Sequence, residues 1–535
     1  MSKHKSKHNT NLQSKKQSNK QTLQSLKSMD VCAYLYLFLI LGIYPLFMDD
    51  KYFNITITRH NFFLFATGLY LAIALVAYML DSVLSKHFGF AGAMDWKRDG
   101  AWWKHTGFWM MAFFASNLFA WFCAEDPQAA WSGSNGRFMG LCMYLLFAAM
   151  FVLLSNRFRP WDALILVFAA ASIFAFIVAI FQHMEMDFLH LKDNIAKDQY
   201  SKFISTFGNI NMFASFLSVA IPVFLAFYVF TEKRLYRIVC AITLVFAGVT
   251  ILIANSDSVF LGLAAAFVLL FLVTYYKDCM RRFVEGLLCL ATGNFILGLI
   301  NTYANTRYDK KRGGLALTLN RLDIALGMCA VLVVIYIILC ILRKKLVGPA
   351  KHWNKKKGVA IIVIVGFICC MAGVIVGNKM GISYFVFDEE WGSYRGFIWR
   401  KVVSVYADAP LVNKIFGYGN ESMRVILNSV CHDEMIEVTG KVYDNAHNEL
   451  LQYLFTTGLV GLISYIGLFV SCIVYMLRNV YKKPWVLAAV SGCVAYFAQG
   501  TLNLNQPITT PFYFVLLAVG VGAVNYDRRT NEAHN

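Results

Sequence analysis

Charge is scarce in this chain. Only 15% of its 535 residues are Asp, Glu, Lys or Arg, against 58% hydrophobic, and the mean hydropathy is +0.54. No C-x-x-C pair occurs among the 13 cysteines, and no Cys/His spacing suits zinc. Most cysteines lie inside apolar runs, where a free thiol behaves as a small hydrophobe, so neither a zinc module nor a disulfide framework is expected. The period-two alternation of an outer-membrane barrel is absent. Internal repeats and the inverted halves of many secondary transporters are not visible either. A cleavable secretory leader is not expected: the polar N-terminal stretch is too long and lacks a small-residue cleavage site.

What is present is a long series of apolar runs. They fall at approximately 31–48, 61–80, 107–124, 138–155, 162–182, 212–230, 235–254, 259–276, 284–301, 317–342, 358–377, 449–477, 485–502 and 510–526. Each is near the length that a ~30 Å hydrocarbon core requires, so the expectation is an all-α polytopic membrane protein of about fourteen spans. An even number puts both termini on one side. The formal net charge of +18 points to topology and not to nucleic acid, because the positives collect in alternate short loops. With the N-terminus inside, the cytoplasmic segments hold Lys86, Lys97, Arg98 and Lys104, then Arg157 and Arg159, then Lys233, Arg234 and Arg237. Lys277, Arg281 and Arg282 follow, then a cluster from Arg343 to Lys357, then Arg478, Lys482 and Lys483, and last Arg528 and Arg529. The exception is Arg307–Arg312, in a loop expected outside. Residues 1–30, with seven lysines among Ser, Asn and Gln, read as a disordered cytoplasmic tail. The expected division is 1–30 tail, 31–200 N-terminal spans, 201–526 a second transmembrane region, and 527–535 a cytoplasmic tail.

Inside that second region, residues 378–448 form the one large extracytoplasmic segment. Trp391, Tyr394, Phe397, Ile398 and Trp399 should fold it onto the membrane surface, and function is expected there. It ends in Asp444-Asn445-Ala446-His447-Asn448-Glu449, at the seam with the next span. With Asp444 or Asn445 as N-cap, His447 falls in the first helical turn, where the helix dipole favours the neutral imidazole that can accept a proton. Asp444, three residues earlier, can reach the other ring nitrogen and orient it. Such a base suits deprotonation of a hydroxyl acceptor. The bland alternative is a histidine resting at headgroup level.

Gly392–Lys401 holds a second constellation. Ser393 is an expected N-cap, with Arg395 and Trp399 on one helical face, and an Arg fork beside exposed helix N–H groups suits a diphosphate. An interfacial helix that merely snorkels its basic residues fits equally. Asn209 and Asn211 can cap the helix they precede or bind sugar hydroxyls. Ser256-Asp257-Ser258 and Asn503, Asn505 and Gln506 read as turns, and Gly458 and Gly461 as helix-packing positions.

Four of these pieces, in this order, resemble the O-antigen ligase and O-antigen polymerase superfamily. They are Gly208, Asn209 and Asn211 with Ala214; Arg395 with Trp399; Leu411–Gly419; and His447 with Asn448, Gly458 and Gly461. The resemblance covers roughly residues 200–526. It implies transfer of a glycan from undecaprenyl diphosphate to an acceptor hydroxyl at the outer face, in the cytoplasmic membrane, with inversion and without metal or other cofactor. By resemblance His447 activates the acceptor and Arg395 holds the diphosphate; Arg400, as a weaker second contact, and Asp444, Asn448, Asn209 and Asn211 are candidate substrate contacts. The partners implied are the lipid-linked donor, a glycan, lipid or protein acceptor, and the bilayer. One departure stands out: many ligases carry Ser-Arg-Gly where this chain has Ser256-Asp257-Ser258. Either Lys202 or Arg400 replaces that arginine, or the donor is bound differently, or the acceptor differs. The competing class is a transporter or flippase of lipid-linked glycan, which should show ionisable groups or broken helices near mid-membrane. A third is an assembly partner for which His447 is dispensable.

Overall fold

The computed structural model describes residues 30–85, 105–304, 319, 321–345, 355–383, 385–479 and 483–534. The basic tail, Lys86, Lys97, Arg98, Lys104, Arg307–Arg312, Lys351 and Lys482 lie outside them. The described residues form eighteen helices: α1 Asp30–Ile43, α2 Ile55–Ser85, α3 Thr106–Phe122, α4 Pro127–Ser132, α5 Leu141–Arg157 and α6 Leu164–His183. Then come α7 Ile210–Phe230, α8 Arg234–Ile253, α9 Ser258–Tyr276, α10 Met280–Tyr303, α11 Leu322–Lys345 and α12 Lys355–Lys379. The last are α13 Trp391–Asp408, α14 Leu411–Phe416, α15 Met423–Thr439, α16 Glu449–Arg478, α17 Pro484–Gly500 and α18 Thr510–His534. Two-residue strands β1 Phe203–Ile204 and β2 Gly208–Asn209 pair antiparallel just before α7. The chain is thus an all-α polytopic membrane protein.

Every expected apolar run coincides with one of these helices. Among the described residues nine, α2, α6–α12 and α16, are long and apolar enough to cross a bilayer. α1 and α5 are shorter apolar helices. α3 and α17, of 17 residues each, and α18, with its polar C-terminal end, complete the fourteen.

Contacts between distant loops sort the helix ends into two groups. At one end Tyr34 donates to the Arg159 carbonyl (3.1 Å), Asn525 to that of Ser155 (2.7 Å), Arg282 to that of Val229 (3.1 Å), and Lys483 pairs with Asp527. At the other end Tyr44 donates to the Pro507 carbonyl, Lys51 pairs with Asp193 (2.9 Å), and Ser256 donates to Asn211 (2.8 Å). This is the alternation that antiparallel crossings require. Among the described residues it gathers the loops that hold Arg159, Arg282 and Lys483 at the first end and residues 385–448 at the second.

α7 is apolar all round and buried all round, against α8, α9 and α17. α11 and α12 are equally apolar yet exposed over most of their length, as lipid-facing helices are. Buried Arg59 on α2 donates to the carbonyls of Pro45 (3.0 Å) and Thr206 (2.9 Å), its guanidinium facing the rings of Tyr44 and Phe207. That clamp fixes the β1–β2 lead-in to α7.

The segment after α12 has its own core. Phe397, Ile398, Met423, Leu427, Met435 and Phe455 pack together over the start of α16. The aromatic residues therefore divide: Phe397 enters this core, while Trp391, Trp399 and Phe387 cluster beside it, centroids 5.3–6.0 Å apart. Gly458 does more than allow close helix packing. At φ 67° and ψ −171° it breaks α16, and a Cβ there would strike the carbonyl of Ile415. The break frees the carbonyls of Phe455 and Thr456, which accept from the N–H groups of Tyr418 (3.2 Å) and Gly419 (3.0 Å). Residues 411–419 are thereby docked on α16 through backbone hydrogen bonds, with the Tyr418 ring against that of Phe455, centroids 5.0 Å apart.

Candidate active site

His447 lies in the turn Gly440–Asn448, held from several sides. Tyr443 Oη donates to the Ser393 carbonyl (3.2 Å), Trp399 Nε1 to the Ala446 carbonyl (2.9 Å), and the Ala446 N–H to Gln452 (3.1 Å). The N–H of His447 donates to Asn445 Oδ1 at 2.8 Å. These bonds fix His447 at φ 48°, a left-handed conformation uncommon for a residue with a side chain.

The helix expected to begin at Asp444 or Asn445 begins later. Asn448 caps it, its Oδ1 accepting from the N–H groups of Leu450 (3.0 Å) and Leu451 (3.2 Å). His447 therefore precedes the cap and is not in the first turn. Asn448 takes the role because its own carbonyl opens the helical ladder to Gln452 while its side chain reaches the next two free donors. The neutrality expected from the dipole has a stronger source: burial, then the guanidinium of Arg395, push the imidazole down to about 4, against the opposing charge of Asp444.

Asp444 does not orient the His447 ring. Its carboxylate is taken by Arg137, whose Nε sits 2.7 Å from Oδ2 and whose Nη2 donates to Oδ1 at 3.2 Å. Nδ1 of His447 is buried without a partner among the described residues, and the ring stands edge-on to Tyr443, centroids 5.9 Å apart.

Ser393 is not a cap. Gly392, Ser393 and Tyr394 are all left-handed, so regular right-handed helix starts at Arg395. A side chain at φ near 60° cannot adopt the extended cap conformation. Arg395 is thus delivered at a helix start, beside His447 and within the field of Asp257 and Tyr443. Burial lowers its proton affinity, which those two groups partly restore. The turn that lacks the family arginine therefore presents a carboxylate to Arg395 instead.

The other candidates divide. Asn209 caps α7 through the N–H of Asn211 (2.8 Å), and Asn211 accepts from Ser256 (2.8 Å). Asn503 donates to the Asn211 carbonyl (3.3 Å), so three segments read separately as turns or caps form one cross-link. Arg400 pairs with Glu389 at 2.6 Å at the surface, and Lys202 is exposed and donates to Gln199.

Two residues that the sequence reading passed over belong here. Arg137 is the sole basic residue in 123–140, and that isolation was the available signal. Glu421 is buried, its carboxylate accepting from the Arg137 N–H at 2.8 Å, and burial raises it to about 7.

Comparison with known families bears on this geometry. Residues 313–466 match the family model Wzy_C, O-antigen ligase. The match lies within the C-terminal half of the chain and covers less than half of its length. The match spans Arg395, Trp399, 411–419, Asp444, His447, Asn448, Gly458 and Gly461, and supports the O-antigen ligase/polymerase superfamily already indicated by those residues. It leaves out Asn209, Asn211 and Arg137. No curated protein matches the chain. The match and the apolar helices together support an O-antigen ligase-like membrane glycosyltransferase in general, with polysaccharide synthesis as its setting.

Proposed function

We propose that the protein transfers a glycan from undecaprenyl diphosphate to an acceptor hydroxyl, with inversion and without metal. The supporting observation is the convergence of His447 and Arg395: a neutral imidazole in the turn before α16 and a desolvated guanidinium at the start of α13, brought together because that turn is hydrogen-bonded to α13. In this reading His447 takes the acceptor's proton as its oxygen attacks the anomeric carbon from the side opposite the diphosphate. The bond to the diphosphate oxygen breaks, and the electron pair leaves with undecaprenyl diphosphate, held by Arg395. The charge pattern supports placing this chemistry at the extracytoplasmic face of the cytoplasmic membrane with both termini inside. Ligation and polymerisation differ only in whether the acceptor is another carrier or the next repeat unit. We take 31–200 and 201–526 to act together, with 378–448 as the catalytic segment.

The test uses the full chain in bilayers with a native undecaprenyl-diphosphate glycan and an acceptor pool, EDTA present. Wild type should release undecaprenyl diphosphate, His447→Ala about 10²–10⁴-fold more slowly, and Arg395→Ala about 10²–10³-fold more slowly. Equal release by all three, or none while labelled lipid crosses the bilayer, would replace this account with transport.

A further inference from the structure

The loop between α4 and α5 comes from the part of the chain outside the matched family region, yet it is built into the turn that carries His447. We propose that Arg137, on that loop, is a positioning residue of the transfer reaction: it holds the Asp444 carboxylate and so fixes the balance of charge around His447. The proposal rests on reading His447 as the base.

Two independent attachments carry it. The first is backbone: Glu421, itself at φ 59°, accepts from the Arg137 N–H at 2.8 Å. Its carboxylate occupies the space that a side chain at position 136 would need, and Gly136 leaves it free. The second is the guanidinium, with Nε 2.7 Å from Oδ2 and Nη2 3.2 Å from Oδ1 of Asp444. At 36% and 25% exposure the two side chains are partly shielded, so this pair is not a solvated surface contact. Arg137 therefore bridges 133–140, 417–422 and 440–448, and only its side chain reaches the third.

The consequence follows from the charges facing His447. They are Arg395 from α13, Arg137, and Lys441 and Asp444 from the turn itself, with the Tyr443 ring at its edge. Asp444 is the one carboxylate among them. Tied to Arg137, it is largely neutralised. Without Arg137 its full charge falls on the imidazole and favours the protonated form, which cannot accept a proton. Without Asp444 three cations remain, and protonation becomes harder. A brace that only stabilised the fold would not produce opposite signs.

The experiment follows His447 directly. Carbethoxylation by diethylpyrocarbonate, resolved at His447 by peptide mass spectrometry, reports the neutral imidazole as a function of pH without any turnover. It is run on the full chain in bilayers for wild type, Arg137→Gln, Asp444→Asn, the double variant and Arg137→Lys, beside undecaprenyl diphosphate release over the same pH range. Arg137→Gln should raise the midpoint by roughly one pH unit, move the acid limb of release with it, and lower kcat more than KM. Asp444→Asn should leave the midpoint at or below wild type, the double variant should return towards wild type, and Arg137→Lys should fall between wild type and Arg137→Gln. An unmoved midpoint in Arg137→Gln and Arg137→Lys, equal shifts of one sign in Arg137→Gln and Asp444→Asn, or a moved midpoint with unaltered release would each overturn the proposal. Should His447→Ala prove fully active, the base reading fails, whereas the reagent midpoints still report whether Arg137 governs the charge at His447.

Discussion

The two ends of the bundle are built from the same apolar helices and differ sharply in backbone and polar chemistry. Twelve non-glycine residues with positive φ occur among the described residues; eleven lie at the end that carries His447, and Asp278 alone lies at the other. Buried polar atoms without partners also concentrate there, on Arg59, His60, Asn420, Asn445, His447 and Gln452. The basic end closes its loops with ordinary devices, such as Lys233 with Asp162 at 3.9 Å and Asn525 linking Ser155 and Tyr475. Strain and unsatisfied polar groups persist only where surrounding packing over-determines them, and they gather where a structure must meet a ligand. Topology alone would make the two ends equivalent. Chemistry separates them.

The largest effect that would break this comparison belongs to Gly458. Gly458→Ala forces a side chain into a left-handed residue and against the Ile415 backbone, and it undoes the docking of 411–419. A loss of about 2–4 kcal/mol is expected, read as a lower unfolding midpoint in detergent together with loss of release activity. Gly366 on lipid-facing α12 is the matched control, because nothing lies within 4 Å of a Cβ there. Gly366→Ala should change stability by less than about 1 kcal/mol, in the favourable direction. Equal losses at both positions would mean that the break in α16 holds nothing.

A smaller effect sharpens the comparison at Glu421. Burial raises its carboxyl from the ordinary carboxylate range to about 7, so the folded state binds a proton more tightly than the unfolded state does. Stability from this group is fully present below the unfolded value and is lost as pH rises through about 7. Glu421→Gln keeps an acceptor for the Arg137 N–H without the charge. It should remove that loss and gain on the order of 2 kcal/mol relative to wild type at pH 8. Unfolding curves at pH 5 and pH 8 check it. A variant that falls with pH as wild type does would place the titrating group elsewhere.

The fold was legible because spans and their alternation are written in local composition: twenty apolar residues, then a loop whose Lys and Arg report its side. The site was legible in residue type and only partly in geometry. His447 could be singled out at the seam between the long polar segment and an apolar run, and Arg395 by its helical spacing to Trp399. Their backbone settings could not, since the left-handed states at His447 and at Gly392–Tyr394 are imposed by Tyr443, Trp399, Asn445 and Gln452, partners that meet only in the folded chain. Arg137 lies 307 residues before Asp444, and nothing in local sequence joins them. Asn211, Ser256 and Asn503 likewise looked like separate turns because the spacing that links them is spatial.

The smallest expected effect comes from a pair that matches Arg137–Asp444 in chemistry and differs in place. Arg400 meets Glu389 at 2.6 Å, closer than either contact of Arg137, yet both partners are more than half exposed, at 53% and 52%. Water screens such a pair, and ordering two long side chains offsets most of its attraction, so the median worth is about 0–1 kcal/mol. Arg400→Ala should therefore shift the unfolding midpoint barely and leave undecaprenyl diphosphate release within about twofold of wild type, whereas Arg137→Gln moves the pH dependence of the reaction. If Arg400→Ala instead lowers release tenfold or more while the fold is intact, its side chain leaves Glu389 for the donor, and the diphosphate contact anticipated for Arg400 from the sequence is restored. Distance alone would have ranked the two arginines the other way; burial and what stands behind each carboxylate decide the order.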